Sequence, residues 1–556
     1  MRREVYSLSA MSLYSIGFDY GTNSVRALLV DVSNGAEVAT AVFNYPSGDA
    51  GVLYDEKDPN LARQNAADYV EGFFSTAKHV LAGIDPSEIV GLGVDTTGSS
   101  PIPVDKNGTP LALLPEFKDK LAAYTWLWKD HTSHAEAAEI TEKARAQGLP
   151  YLAKCGGTYS SEWFWSKILH CARVAPDVFE AAYSWVEFAD WVPAYLSGNT
   201  DPLTLKRSVC AAGHKAMFAD EWGGLPSKEF LATLDPRLAD LRDRLYSEAV
   251  PSDHVAGLLS AEVAERAGLP AGIPIAVGAF DAHFGAVASG AKTGTLVKII
   301  GTSTCDCMVH PLDLPLADVP GLCGIVKGSV IPGMYGLEAG QSAVGDIFNW
   351  FVSELGTAGH EALTEEASKQ KPGASGLLAL DWNNGNRTIL VDPLLTGALL
   401  GLTLHTTPAE IYRALVEATA FGALKIINRL EEYGVMVEEV VNCGGIAEKN
   451  PFVMQIYADV CNRPMKVSRS AQTCALGSAI FGAVVGGVYP DAQAAQVAMT
   501  GVKERVFIPD PDAAATYAKL FSLYSDIHDA LGTTTWNGNL AHVMKALIKI
   551  RAEARA

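Results

Sequence analysis

Basic charge, paired cysteines and long apolar runs are what this sequence has least of. Lys and Arg number 43 against 63 Asp and Glu, a formal net charge of −20 over 556 residues. That balance excludes a nucleic-acid partner, because a phosphate backbone needs a basic surface. It does not exclude a single nucleotide, whose site needs only locally arranged donors and a metal ion. The nine cysteines are scattered with no C-x-x-C pair and no His-rich run, so neither a zinc site nor a disulfide framework is predicted. A reducing cytoplasm is the expected setting. The longest apolar run, Ala475 to Val488, is rich in Gly and Ala and too short to span a bilayer. It reads as a buried helix, and no membrane partner is expected. Met1 to Ala10 carry Arg2 and Arg3 but no apolar stretch of a signal peptide. Residues 1–12 are expected to be a disordered extension, with Met11 an alternative start.

What is present is a glycine-and-hydroxyl loop that follows a hydrophobic strand twice, once in each half. The first copy is Ile16-Gly17-Phe18-Asp19-Tyr20-Gly21-Thr22-Asn23-Ser24, and the second is Leu296-Val297-Lys298-Ile299-Ile300-Gly301-Thr302-Ser303-Thr304. Backbone N–H groups and hydroxyls in such turns can converge on an anion. One copy could be an ordinary hairpin. Two predict related lobes that grip one nucleotide from both sides. The length also calls for two domains, each of roughly 250–290 residues.

Strands are expected at Ser15–Phe18, Ala27–Asp31 and Val38–Phe43, then a helix over Asn60–Leu81 with apolar residues at helical spacing. A strongly apolar strand, Ile89–Val94, runs into Asp95-Thr96-Thr97-Gly98-Ser99-Ser100, and Trp- and Ala-rich helices follow from about 117 to 245. Ser260–Ala267 reads as a short helix with Ser at its N-cap, and Gly268–Pro274 as a linker. Ile275–Gly278 is expected to open a second strand series, which ends with Val440–Asn442 before Gly444-Gly445. The fold class predicted is α/β, two lobes with a cleft between them, divided into 13–270 and 271–556.

Several positions carry chemistry. Asp19, at the end of the first strand, can hold Mg²⁺, which favours one or two carboxylates plus substrate phosphates; the plain alternative is an Asx-turn. Asp281 follows a strand and could accept the proton of an alcohol in phosphoryl transfer, or simply cap the helix that begins at Ala282. His283 beside it reads as a packing residue. Gly444-Gly445 leaves room for a purine or ribose against the backbone, although a lone Gly pair more often marks a turn. Trp126, Trp128, Trp163 and Trp165 suit sugar stacking but equally a core.

These segments, taken together, resemble the FGGY carbohydrate kinases of the actin-like, ribonuclease H-like ATPase superfamily. The phosphate-1 loop corresponds to Asp19–Ser24 with Arg26, phosphate-2 to Gly301-Thr302-Ser303, and the adenosine segment to Gly444 through Asn450. The family's C-terminal signature is met by Gly397-x-Leu399-x-Gly401-Leu402 with Glu410-Ile411 and Ala414–Glu417. The resemblance implies two actin-like lobes, with ATP and Mg²⁺ as cofactors and a small-molecule sugar as the other substrate. It implies Asp281 as base, and Gly98, Lys215, Asp281 and Glu338 at the sugar. It further implies Gly21, Thr22, Asn23, Ser24, Gly301, Thr302, Ser303, Gly345, Asn349, Gly444, Gly445 and Asn450 at ATP, and Asp19 at the metal. The sugar expected is a ketopentose, L-ribulose foremost, taken to its 5-phosphate in L-arabinose catabolism. D-Ribulose, ribitol and L-xylulose remain open, as do a non-catalytic sugar sensor and assembly as a homodimer. The loop Thr96-Thr97-Gly98-Ser99-Ser100 departs from the family's Phe-Thr-Ala-Cys-like run, which leaves sugar choice the least determined feature.

Overall fold

The structure is a computed structural model that describes residues 12–355 and 358–556. The expected N-terminal extension, apart from residue 12, lies outside them. Two large mixed sheets organise the chain. In the first, Tyr14–Tyr20, Ser24–Asp31 and Glu37–Asn44 form an antiparallel meander. Ile89–Thr96 then pairs parallel to the first of these strands, and Pro274–Ala276 parallel to Ile89–Thr96. In the second sheet Thr295–Ile300, Thr304–Pro311 and Met334–Ala339 repeat the meander. Glu439–Cys443 pairs parallel to Thr295–Ile300, and Met465–Val467 parallel to Glu439–Cys443. The spatial order is therefore the same in both sheets, a three-stranded meander extended by two parallel strands. This is the internal duplication that the paired loops imply, and each loop is the tip of its own lobe's first hairpin.

The sequence of the strands explains their placement. Tyr14–Tyr20 and Ile89–Thr96 are almost wholly buried, which is expected of strands covered on both faces. One of those covers comes from far along the chain. The helix Thr473–Val485, buried nearly all round, lies on the first sheet. It sits in a seat of bare backbone. A Cβ on Gly17 would collide with the carbonyl of Ala475, one on Gly93 with that of Ser478, and one on Gly91 with that of Gly482. The same helix crosses Asp281–Ala288, where Gly477 meets the backbone of Phe284 and Phe481 stacks on Phe284 at 4.6 Å between ring centroids.

Two expected elements differ. Residues 60–64 belong to a strand, Asp58–Gln64, and the helix starts only at Ala66 with Asn65 as N-cap. Tertiary context decides this: Arg63 lies 3.5 Å over the Trp126 ring and pairs with buried Asp130, and its strand pairs with Thr125–Trp126. Likewise the segment Ile275–Gly278, expected to open the second strand series, falls at Pro274–Ala276, which with Ala279–Phe280 adds to the first sheet beside Ile89–Thr96. They lie beyond the expected 270/271 boundary. The Ser260-capped helix Ala261–Ala267 is found as expected. Among the described residues no helix is long and apolar enough to cross a membrane.

Candidate active site

Three parallel strands of the first sheet end side by side, and each delivers a carboxylate. Asp19 is in register with Asp95, Asp95 is in register with Ala279, and Asp281 follows Phe280 at the start of the helix Asp281–Ala288. The C-terminal ends of parallel strands are where open α/β sheets bind ligands. Burial pushes all three acids up, and the charge of Asp19 adds to it at Asp95 and Asp281. Asp95 is driven well above the usual range by burial and then by the charge of Asp19. Asp281 is pushed up to about 7, first by burial and next by Asp19. Asp19 rises through burial, partly offset by Asp95 and by Arg26. Asp95 was not singled out by residue type, yet its position in the strand marks it. Ser478 donates to its Oδ2 at 2.6 Å, while Oδ1 has no hydrogen-bond partner.

The phosphate-like loops are braced hairpin tips. In the first, the Gly21 N–H donates to the carbonyl of Ser24 at 2.9 Å. Thr22 is held through its hydroxyl by Trp128 Nε1 at 3.0 Å and through its carbonyl by Gln64 at 2.7 Å. Asn23 donates its amide to the carbonyl of Ala50 at 2.6 Å, so that side chain shapes the loop. In the second, Gly301 N–H closes on Ser303 at 3.0 Å, and the Thr302 carbonyl accepts from Val344 at 2.8 Å and from Asp346 at 3.1 Å. These bonds fasten the loop to the start of the helix Gly345–Ser353.

The glycines predicted for ATP gather at that junction. A Cβ on Gly345 would stand 2.6 Å from the Gly301 carbonyl, and one on Gly444 would press on the Ile300 carbonyl. Gly445 opens the short helix Gly445–Lys449 with empty space over its α-carbon. Gly301, Thr302, Ser303, Gly345, Gly444 and Gly445 thus form one backbone-lined wall. Asn349 is exposed one turn along its helix. Asn450 caps the helix Pro451–Cys461, its side chain accepting from Val453 at 3.2 Å.

Beside the acids lies a second pocket built from both lobes. Lys215, at the end of the helix Val209–Lys215, donates to Glu338 Oε1 at 2.8 Å across the cleft. Its ammonium lies 5.4 Å from the Trp163 ring centroid and 5.7 Å from that of Phe280. Burial would raise the Glu338 carboxyl, but Lys215, with further help from His214 and His283, holds the acid well below the carboxylate range. Of the aromatic clusters, Trp126, Trp163 and Trp165 all belong to the core, and Trp163 alone of them also meets Lys215. Gly98 lies flat beneath Phe280, whose ring occupies the space a Cβ would need. The loop around Gly98 is pinned from below. Glu187 accepts from the Ser99 hydroxyl and from the Ser100 N–H at 2.9 Å, and Lys167 donates to the Ser99 and Leu127 carbonyls at 2.8 Å each. A second contact across the lobes joins Arg387 to Glu162 at 3.3 Å.

Two lobes of repeated topology, a pair of braced glycine-and-hydroxyl hairpin tips and acids at the strand ends fit an ATP-dependent phosphotransferase of the actin-like class. The chain belongs to the FGGY family of carbohydrate kinases: the family's N-terminal domain matches residues 14–288 and its C-terminal domain residues 296–485. The chain is 44% identical to a ribulokinase of Vibrio parahaemolyticus, over 92% of this chain and 95% of that one. It is 42% identical to a ribulokinase of Halalkalibacterium halodurans, over 93% and 95%. The xylulose kinase of Rhodospirillum rubrum superposes with a TM-score of 0.78 at 23% identity, covering 93% of this chain and 99% of that one, and shares the fold. A carbohydrate and ATP are accordingly the two substrates of this chain.

Proposed function

We propose that this protein transfers the γ-phosphoryl group of ATP to the terminal hydroxyl of L-ribulose, giving L-ribulose 5-phosphate in L-arabinose catabolism. The observation that carries the chemistry is Asp281, a carboxylate at a strand end in the cleft with its pKa raised to about 7. Such a group accepts the hydroxyl proton as the oxygen attacks phosphorus, near the pH at which a base is most effective. The sugar itself rests on the two relatives named ribulokinase. Lys215 and Glu338 would orient its hydroxyls, and the rigid Gly98 loop with Phe280 would set the pocket floor. The backbone walls at Gly21–Ser24 and Gly301–Ser303 would cradle the phosphates, with Gly345, Asn349, Gly444, Gly445 and Asn450 toward the adenosine.

The donor set at Asp19 and Asp95 fits Mg²⁺. Two facing carboxylates with hard oxygens, one of them an unpartnered buried Oδ1, suit a cation that keeps its waters and bridges to phosphate. When bound, Mg²⁺ neutralises charge on the transferring phosphoryl group. Asp19 would hold it together with Asp95, and Ser478 orients Asp95 for that task. Supply of ATP and the free cysteines recorded here suit the cytoplasm.

The test is ADP release measured against L-ribulose, D-ribulose, L-xylulose and ribitol. Saturable turnover with the highest kcat/KM on L-ribulose is expected. A higher value on another member of the panel would replace the sugar assigned here. Sugar binding with no phosphorylated product would favour a sensor instead.

A further inference from the structure

Glu338 faces two ways. Its Oε1 takes the Lys215 ammonium, while its Oε2 lies 3.3 Å from His214 Nδ1 and 3.5 Å from His283 Nε2. Glu338 Oε2, His214 Nδ1 and His283 Nε2 all lack a hydrogen-bond partner, although all three residues are buried. Buried polar atoms left in this state call for an explanation.

The tautomer of His214 follows from its other nitrogen. Ser329 Oγ donates its single proton to the Val326 carbonyl at 3.2 Å, so toward His214 Nε2, at 3.0 Å, it accepts. In that tautomer Nδ1 is a bare lone pair aimed at a carboxylate oxygen. The donor atoms of the three residues lie within 4.8 Å of one another. Two imidazole nitrogens and one carboxylate oxygen therefore converge.

We propose that His214, His283 and Glu338 form a binding site for a borderline divalent cation of the zinc class, one that competes with the sugar. Three protein donors of this kind, with a fourth position left open, are the ligand set zinc takes in sites that exchange a ligand. Ser329 supplies the outer hydrogen bond that fixes the His214 ring. Lys215 occupies Oε1, which makes Glu338 monodentate, and its charge keeps the affinity low enough for reversible occupancy. Mg²⁺ prefers all-oxygen surroundings and is not a rival for two imidazoles. A cation on Oε2 removes the acceptor that a sugar hydroxyl would use. The binding site stands whatever the sugar is; the competition alone rests on the kinase reading given above.

The probe is Co²⁺ alone, titrated into the full-length protein after dialysis against EDTA. One equivalent per chain with the weak visible bands of four-coordinate cobalt is expected, and Zn²⁺ should displace it. His214→Gln and His283→Gln should each abolish the bands while keeping the wild-type circular dichroism spectrum. Cys305→Ser and Cys307→Ser should each retain them, since these two sulfurs, 4.0 Å apart, are a competing pair of soft donors on the strand beside Glu338. Failure of the wild type to take up cobalt, bands that survive both histidine variants, or strong thiolate charge transfer would each overturn the site. In the ADP-release assay Zn²⁺ should raise the apparent KM for sugar about tenfold at tenfold its inhibition constant, with kcat unchanged. Inhibition that saturating sugar leaves intact would overturn the competition, and it is separable from the spectroscopic result because the titration needs no turnover.

Discussion

A carboxylate works as a base only when it is unprotonated as the alcohol reaches it, and for Asp281 as the proposed base burial and its neighbours set that condition. The group sits at about 7 because it is desolvated and shares the cleft with Asp19. Its folded value lies above its unfolded one, so it is charged and competent above pH 7 and loses competence as pH falls. A pH profile of kcat/KM should therefore drop about tenfold per unit below pH 7. Asp281→Asn should lower kcat on the order of 10²–10⁴-fold while leaving ATP affinity in place. The same sign governs stability: the raised pKa favours the fold below the unfolded carboxyl value, and that advantage is gone once pH passes about 7. The asparagine variant should consequently melt higher than wild type at pH 8, and a lower melting temperature there would contradict the repulsion among the three acids.

Gly98 offers a second residue-scale test. A methyl group there must displace the Phe280 ring, which also borders Lys215. Gly98→Ala should raise the sugar KM about tenfold, the scale of one misplaced pocket contact, with little change in the KM for ATP. Steady-state kinetics with each substrate varied in turn would separate the two.

At the scale of the element, the helix Thr473–Val485 is held by what its sheet omits. Gly17, Gly91 and Gly93 present backbone where side chains would stand, and the helix answers with Ala475, Ser478, Ala479 and Gly482. Backbone against backbone cannot yield as a flexible side chain can, so Gly93→Ala should cost about 3 kcal/mol or more, read from the midpoint of chemical unfolding. It should also disturb Ser478 and through it Asp95, so activity should fall further than the fraction unfolded accounts for. Elements of this kind are legible in sequence where local pattern decides them. The apolar run from Ala475 declared a buried helix, and Gly flanked by Thr and Ser after a strand declared both hairpin tips. Strand Asp58–Gln64 was not legible, because the partner that fixes it is Trp126, a residue met only in the folded chain. Nor could the grouping of His214, His283 and Glu338 be read, since their spacing along the chain resembles no ligand motif and only the closed lobes bring them together.

At the scale of the molecule, three polar contacts join the two lobes beside the apolar core they share. Lys215 to Glu338, His214 to Ser329 and Glu162 to Arg387 all join the first half to the second. The Lys215–Glu338 cluster proposed for the sugar accordingly exists only while the lobes are together, whereas the hydrogen bonds that brace each hairpin tip come from its own half of the chain. Arg387→Ala should therefore weaken sugar more than ATP, with at least a fivefold rise in sugar KM on the scale of a partly buried ion pair, measured at saturating ATP.

The seat for the Thr473–Val485 helix carries one more implication, which concerns the order of synthesis. Strands 14–20 and 89–96 leave the ribosome early, but the helix that covers their glycine faces emerges some four hundred residues later. Until then the nascent first lobe has an open apolar groove and cannot complete its own core. A polypeptide of residues 12–288 made alone should thus behave as a loosely packed, dye-binding species. Supplying residues 289–556 as a separate chain should restore cooperative melting, and a fragment that melts sharply by itself would refute the dependence. The enzyme's beginning, in this sense, is finished by its end.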